Sequence, residues 1–277
     1  MINIDVIIPV HYFDDNVKNM LDASYDSVKV AEKQYSLGEV YTYVVAPAAI
    51  ISDSSCGLSK WASVNDVRLV GNDGETDFCS QVNRAVDDCE SAFFSILEMD
   101  DMYKPNWFRN FSEYYVCNDS MSVFLPINAQ YSVDNGQWSF GNEFGLSNAF
   151  PTDTDGDDDP IGVINIKRLE RCSLFNLTGA IINRYDFMKV GRYKPSIKVA
   201  FNYELLLRMT HNGLKGLVVP KEGYVHIVGR EGSLTDEYIR TISNDEVRKW
   251  FELAIREYPY LRDRKKGISC ATEEEVK

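Results

Sequence analysis

At 277 residues, with 44% hydrophobic and 26% charged side chains, the chain suffices for one large α/β domain or two small ones. A net charge of −13 argues against a general nucleic-acid binder, and no apolar run reaches the length of a membrane span. Six cysteines without a C-x-x-C pair and three scattered histidines indicate neither a zinc site nor a disulfide framework, so a reducing, cytoplasmic setting is expected.

The opening "MINIDVIIPV" has no basic n-region and is not read as a signal peptide. Its "IDVIIPV" is a buried strand, β-branched and closed by Pro9. A helix follows in "DDNVKNMLDASYDSVKVAEKQY", with Val17, Met20, Leu21, Tyr25 and Val28 on one face. "EVYTYVVAPAAII" predicts a second strand, "VNDVRLVG" a third, "DFCSQVNRAVDDCES" a short helix and "AFFSILEM" a fourth strand. Strands alternating with helices predict a mainly parallel sheet, whose ligands bind at the carboxyl ends of the strands.

The second half is more mixed. "SVFLPINAQYSV" reads as a strand, and "NGQWSFGNEF" as a turn with an aromatic excursion. "DTDGDDDP" departs from a calcium loop, because its glycine follows the second Asp and no Glu closes it; it is read as a solvated loop. "LFNLTGAIINRYDFMKVG" predicts a strand, a turn and a short helix, "NYELLLRMTHNG" a helix, and "LKGLVVP" a strand. Val247, Trp250, Phe251, Ala254, Ile255 and Tyr258 form a last helical stripe, and the segment 263–277 is a polar tail. Charge is uneven: residues 165–198 carry eight basic and two acidic side chains, +6 against −19 for the remainder. Such a cluster is either solvated surface or an attraction for an anionic partner.

The most informative stretch is "SAFFSILEMDDMYKPNWF", where an apolar run stops at Glu98, Asp100 and Asp101. Clustered carboxylates repel one another unless a cation sits between them, and hard oxygen ligands suit Mg²⁺ or Mn²⁺. A metal so held stabilises charge on a departing diphosphate. The alternative is that Asp100 and Asp101 cap the helix suggested by "YKPNWF".

The order of segments resembles the family 2 glycosyltransferases, over residues 3 to 240. "IDVIIPVHYFDD" resembles their first strand and nucleotide-facing loop, with Pro9, Val10 and Tyr12 toward the donor. "VRLVGNDGETDFCSQVNRAVDDCESAFFSILEMDD" is similar to their central pattern. It contributes Asp73, Asn83, Glu98 and Asp100 as donor contacts and places Asp100 and Asp101 at a metal. "LTGAIINRYDFMKVGRY" resembles the acceptor side, with Gly179, Arg184 and, from the preceding helix, Trp107. "FNYELLLRMTHNGLKGLVVP" resembles the helix of the catalytic base, and "YVHIVGREGSLT" the closing strand and loop. There His226 is a further metal ligand or phosphate contact, or a packed side chain, and Arg230 pairs with the diphosphate or lines the surface. Tyr12, Trp107 and Trp138 either stack on a base or sugar or pack in the core.

Three departures stand out. Glu98 replaces the usual Asp. The second strand ends in "VVAPAA" with no acidic residue for the base, leaving Asp53 or Asp73 as substitutes. Asn202 stands where the base Asp often lies, with Glu204 two residues later; Glu204 is either the base or a partner of Arg208.

The resemblance implies a GT-A fold, α/β with a mixed, mainly parallel sheet flanked by helices, in one domain over residues 1–262. Residues 1–108 would form the nucleotide-sugar half, 109–240 the acceptor half and 241–262 a final helix. It further implies an inverting, Mn²⁺- or Mg²⁺-dependent transfer from a nucleotide-diphosphate sugar, a UDP sugar first, to a hydroxyl. The +6 segment suggests an anionic acceptor, a glycan or lipid-linked glycan before nucleic acid. Rival readings are a virus-type enzyme acting on hydroxylated DNA bases, a degenerate sugar-nucleotide or glycan binder and, ranked low because "PVHYFDD" has neither Gly nor Lys, a nucleotidyltransferase.

Overall fold

The computed structural model describes residues 1–74, 76–134, 137–140, 146–148, 159–171, 175–228 and 241–256. Strand β1 (Ile4–Pro9) is buried at every residue, as its unbroken apolar run requires of a strand covered on both faces. Helix α1 (Asp15–Glu32) starts where the Asp14 side chain accepts the Val17 N–H at 2.8 Å. It buries Val17, Leu21, Ser24, Tyr25, Val28 and Ala31, a stripe at three- and four-residue spacing. Strand β2 (Val40–Pro47) pairs parallel with β1, and β3 (Arg68–Asn72) parallel with β2. Helix α4 (Phe78–Asp88) leads into β4 (Phe93–Ile96), which lies parallel on the other side of β1. All four strands therefore end at one edge of the sheet, where Val10, Pro47, Asp73 and Leu97 emerge.

Beyond β4 the direction changes. Helix α5 (Trp107–Tyr115) follows β5 (Met102–Tyr103), and β6 (Val123–Asp134) carries the antiparallel short strands β7 (Gln137–Phe140) and β8 (Leu146–Ser147). Strand β10 (Ile181–Asn183) is antiparallel to both β4 and β6, and β11 (Gly216–Val228) runs parallel to β6. The order is β3-β2-β1-β4-β10-β6-β11-β5, with β9 (Val163–Ile164) on β11. One core, with α1 and α5, covers one face; the other gathers α4, α6 (Ile166–Arg171), α7 (Arg184–Lys189), α8 (Phe201–His211) and α9 (Asn244–Arg256).

The elements depart from the sequence expectation in places. "AAIIS" is the short helix α2 (Ala48–Ser52), not an extension of β2. Residues 58–64, of which the sequence reading assigned only Val64, to the third strand, form α3 (Leu58–Val64), entered through Gly57 at φ +85°. The strand in "LKGLVVP" and the closing strand in "YVHIV" are one continuous strand, Gly216–Val228, carried past Pro220 by register shifts around Glu222. No helix of the described residues is long and apolar enough to cross a membrane, and Cys56, Cys79, Cys89 and Cys117 are free. Most of "DTDGDDDP", together with Arg230, lies outside the described residues; its Asp159 pairs with Lys215.

Candidate active site

Strand β4 delivers the acidic stretch to the carboxyl edge. The Leu97 N–H bonds to the Ile7 carbonyl at 2.9 Å, and a tight turn follows, closed by the Asp101 N–H on the Glu98 carbonyl at 3.0 Å. Buried Ser24 of α1 braces this turn, its hydroxyl lying 2.9 Å from the Met99 carbonyl and 2.7 Å from that of Asp101. The alternative role of Asp100 and Asp101 as helix caps is not what the fold uses, since α5 is preceded by Asn106.

Pairing of β5 with β11, Tyr224 opposite Tyr103 and Val225 opposite Met102, brings His226 onto the turn. Asp101 is fully buried. One carboxylate oxygen accepts the Ile227 N–H at 2.8 Å and the other lies 2.8 Å from His226 Nδ1. Burial opposes a charged imidazole, but the Asp101 charge and hydrogen bond, with Glu98 and Asp100, raise the His226 pKa to about 9. Glu98, Asp101 and His226 each offer a ligand atom within 4.8 Å of the others, and Asp100 stands half-buried beside them. Two kinds of donor, hard carboxylate oxygen and imidazole nitrogen, match Mn²⁺ chemistry. Both Asp101 oxygens already accept hydrogen bonds, so Asp101 fixes the ring through Nδ1, and Nε2 is the nitrogen this contact does not use.

Tyr224 ties this corner to the middle of the sheet. Its hydroxyl accepts the Glu98 N–H at 3.1 Å, and its ring lies over Gly179, whose own N–H bonds to the Ile96 carbonyl at 2.8 Å. Gly179 has φ +78°, and a Cβ there would come within 2.4 Å of the Tyr224 ring, so only glycine fits. This expected acceptor-side residue is therefore next to the carboxylates.

On the donor side Pro9 and Val10 are buried at the end of β1, while Tyr12, 39% exposed, and Asp73 are accessible at that edge. His11, which the sequence reading passed over, lies with Nδ1 3.0 Å from the Thr76 carbonyl and 2.8 Å from Gln81 Nε2, joining the loops after β1 and β3. Burial lowers its pKa, against the Thr76 carbonyl and the Asp77 charge. Asp53, the other substitute for a base contact, binds Ser55 through N–H and hydroxyl at the end of α2.

Four expected site residues are placed elsewhere or otherwise employed. Trp107 is fully buried and packs where a Cβ on Gly223 would sit, 2.4 Å away, so it belongs to the core. Asn83 is spent on Tyr193, donating to its carbonyl at 2.9 Å and accepting its N–H at 3.1 Å. Arg184 lies at the opposite edge of the sheet, its Nε 2.9 Å from the Ser91 carbonyl ahead of β4. The cause is β10, which runs antiparallel to β4 and carries the chain from Gly179 to the far edge by residue 184. Glu204 is fully buried and takes the partner role: Arg208 Nε and a terminal nitrogen donate to its two oxygens at 3.0 and 2.8 Å, with Lys194 Nζ at 2.9 Å. Asn202 remains half-buried, between Tyr193 and Asn176. Asn176 and Tyr224 lie inside the quoted segments "LFNLTGAIINRYDFMKVG" and "YVHIVGREGSLT" but were not singled out in them.

This arrangement is the GT-A fold, seen in glycosyltransferases that use nucleotide sugars. S. aureus TarS residues 1–349 in complex with UDP-GlcNAc matches with a TM-score of 0.60 at 13% identity, over 99% of this chain and 69% of that one. The same protein with UDP matches at 0.57 and 14%, over 91% of this chain and 65% of that one. The mannosyltransferase PcManGT from Pyrobaculum calidifontis with GDP-Man and Mn²⁺ matches at 0.60 and 13%, over 91% and 64%. At these identities the likeness is one of fold, and the chain spans about two thirds of these neighbours' lengths. No protein-family model matches the sequence, and no curated protein matches it.

Proposed function

We propose that the chain is a glycosyltransferase that takes its sugar from a nucleotide diphosphate, with the nucleotide over the carboxyl ends of β1 to β4. The observation that carries this is the gathering of Glu98, Asp101 and His226 within 4.8 Å at that edge of a GT-A sheet. Glu98, Asp100 and His226 would hold a divalent ion, Mn²⁺ before Mg²⁺ because of the imidazole, with Asp101 orienting the ring. When bound, such an ion would supply positive charge to the leaving diphosphate. Tyr12 and Asp73 are the accessible groups for the nucleoside, and the resemblance puts Arg230 forward for the diphosphate.

The protein's own residues shape the rest. Tyr224 and Gly179 set the Glu98 main chain, and the His11–Thr76 link holds the two nucleotide-side loops together. With Trp107, Arg184 and Glu204 otherwise placed, the acceptor side reduces to the Gly179 loop and the head of α8. Displacement with inversion is the reading in keeping with the resemblance. We place one domain over residues 1–262, divided after 108 and 240, with 263–277 as a tail.

The test is thermal unfolding with a panel including UDP-GlcNAc, other UDP sugars and GDP-mannose, each with Mn²⁺ and with EDTA. A shift of about 3 °C or more for some nucleotide sugar, present with Mn²⁺ and lost with EDTA, is expected. No shift with any nucleotide sugar would count against the reading.

A further inference from the structure

The Gly179 loop carries a chain of amides whose hydrogen atoms can be placed one by one. The Thr178 backbone N–H can only donate, and it meets Asn176 Oδ1 at 3.0 Å. That fixes this branch of the Asn176 amide as the oxygen and the other as the nitrogen. Asn202 Nδ2 donates to the same oxygen at 3.1 Å, and the Asn202 oxygen accepts the Tyr193 hydroxyl at 2.9 Å. Buried Asn148 takes up the Asn176 main chain, accepting its N–H and donating to its carbonyl, each at 2.8 Å.

The backbone N–H, the backbone carbonyl and both lone pairs of the side-chain oxygen of Asn176 are therefore in use. What remains is the side-chain NH₂, from which none of the described residues accepts. Asn176 is half-buried, and this nitrogen is not among the enclosed polar atoms, so it faces solvent. Asn202, also half-buried, keeps one further N–H.

These groups stand beside the metal corner. Thr178 forms a parallel β-bridge with Ile96, the Gly179 N–H bonds to the Ile96 carbonyl at 2.8 Å, and Glu98 follows two residues later. Burial, then the charges of Cys79 and Glu98, raise the Tyr193 pKa, so the Glu98 charge reaches the same network. A donor whose diphosphate is held at this corner must turn its sugar toward the acceptor side for transfer, and that side is the Gly179 loop with the head of α8.

Resting on the transferase reading, we propose that the free N–H groups of Asn176 and Asn202 recognise the sugar being transferred, and that this sugar carries a carbonyl-type oxygen. It is an N-acylated sugar or a uronic acid rather than a plain hexose. An acyl or carboxylate oxygen has lone pairs and no hydrogen, which matches an NH₂ group with hydrogens and no lone pair to offer. A sugar hydroxyl can accept from Asn176 too, but its own hydrogen finds no acceptor on that amide, and a site built to hydrogen-bond one group discriminates against a partner that fills it incompletely.

Calorimetry on the full chain, with Mn²⁺ and without acceptor, compares glucose, N-acetylglucosamine and glucuronic acid, each as its UDP and its GDP derivative. On the nucleotide that binds, the acyl or the carboxyl sugar should bind about tenfold or more tightly than glucose, and the one that responds identifies the class. Asn176→Asp isolates the contact: it keeps an oxygen to accept from Thr178 and Asn202 and turns the solvent-facing NH₂ into a second oxygen. Its Tm should stay within about 2 °C of the parent's while the preference over glucose disappears, with UDP or GDP alone measured alongside to correct for the added charge. A purely structural Asn176 would leave that preference untouched. Equal affinity for all three sugars in the parent overturns the proposal, as does an Asn176→Asp protein that retains the preference. Failure of both UDP and GDP to bind refutes the transferase reading itself.

Discussion

Replacing Glu204 by Gln separates a structural ion cluster from a catalytic base. The Glu204 side chain is 1% exposed and that of Arg208 10%, and two of their contacts are 3.0 and 2.8 Å long. Removing one charge from a buried pair costs about 3–5 kcal/mol, because the remaining ion keeps its desolvation penalty without its partner. Lys194 is 37% exposed and can turn to water, so its share is small, and about 3 kcal/mol is the working figure. For a domain of this size that corresponds to a fall in Tm of roughly 6–12 °C. Adding Arg208→Met to Glu204→Gln should recover part of the loss, since the double variant leaves no unpaired guanidinium, and the coupling is read from the cycle. Calorimetric unfolding of the four proteins makes the measurement. A Glu204→Gln protein with parental Tm and a loss of turnover by orders of magnitude would refute the reasoning and return Glu204 to the role of base.

Gly179→Ala should lower Tm and weaken nucleotide binding together, because the added methyl at φ +78° pushes into the Tyr224 ring that holds the Glu98 main chain; Gly213→Ala, also at positive φ but with nothing within 4 Å, is the control for backbone strain alone. In the metal-free protein, His226 has a folded pKa of about 9, above its unfolded value near 6.5, so its stabilising contribution is complete below about pH 6.5 and lost as pH rises through 9. The contribution is at most about 3 kcal/mol, and His226→Gln should flatten Tm against pH over that window. Charge reversal at Arg184, Lys189 and Arg192 should leave nucleotide binding unchanged in a titration, since Arg184 sits by Ser91 and Arg192 pairs with Asp87, both away from the carboxylate edge.

The parallel half of the sheet was legible because β1, β2 and β4 announce themselves as apolar, β-branched runs, and α1 and α4 as regular stripes. Helix α3 was not, because Val64 and Val67 read as strand residues while the turn at Asp66, at φ 54°, is invisible to periodicity. In the site, the acidic strand end was plain, but the partnership of Asp101 with His226 spans 125 positions and depends on the β5–β11 pairing. Arg184 was misplaced for a geometric reason: three residues of antiparallel strand cross the sheet from one edge to the other. Trp107, which the sequence left open between stacking and core packing, is fully buried against Gly223. The choice between base and ion pair at Glu204 turned on Lys194 and Arg208, of which the sequence offered only the second.

The most direct test of the central claim is isothermal titration of UDP and GDP into the parent protein, with Mn²⁺ or with EDTA, and into the Asp100→Ala and His226→Ala variants. The proposed metal site, with Glu98, Asp100 and His226 as ligands and Asp101 orienting the ring, predicts binding of one diphosphate with Mn²⁺, weakened about 10- to 100-fold by EDTA and by either substitution while the variants stay folded. Diphosphate affinity unchanged by EDTA and by both substitutions would contradict it.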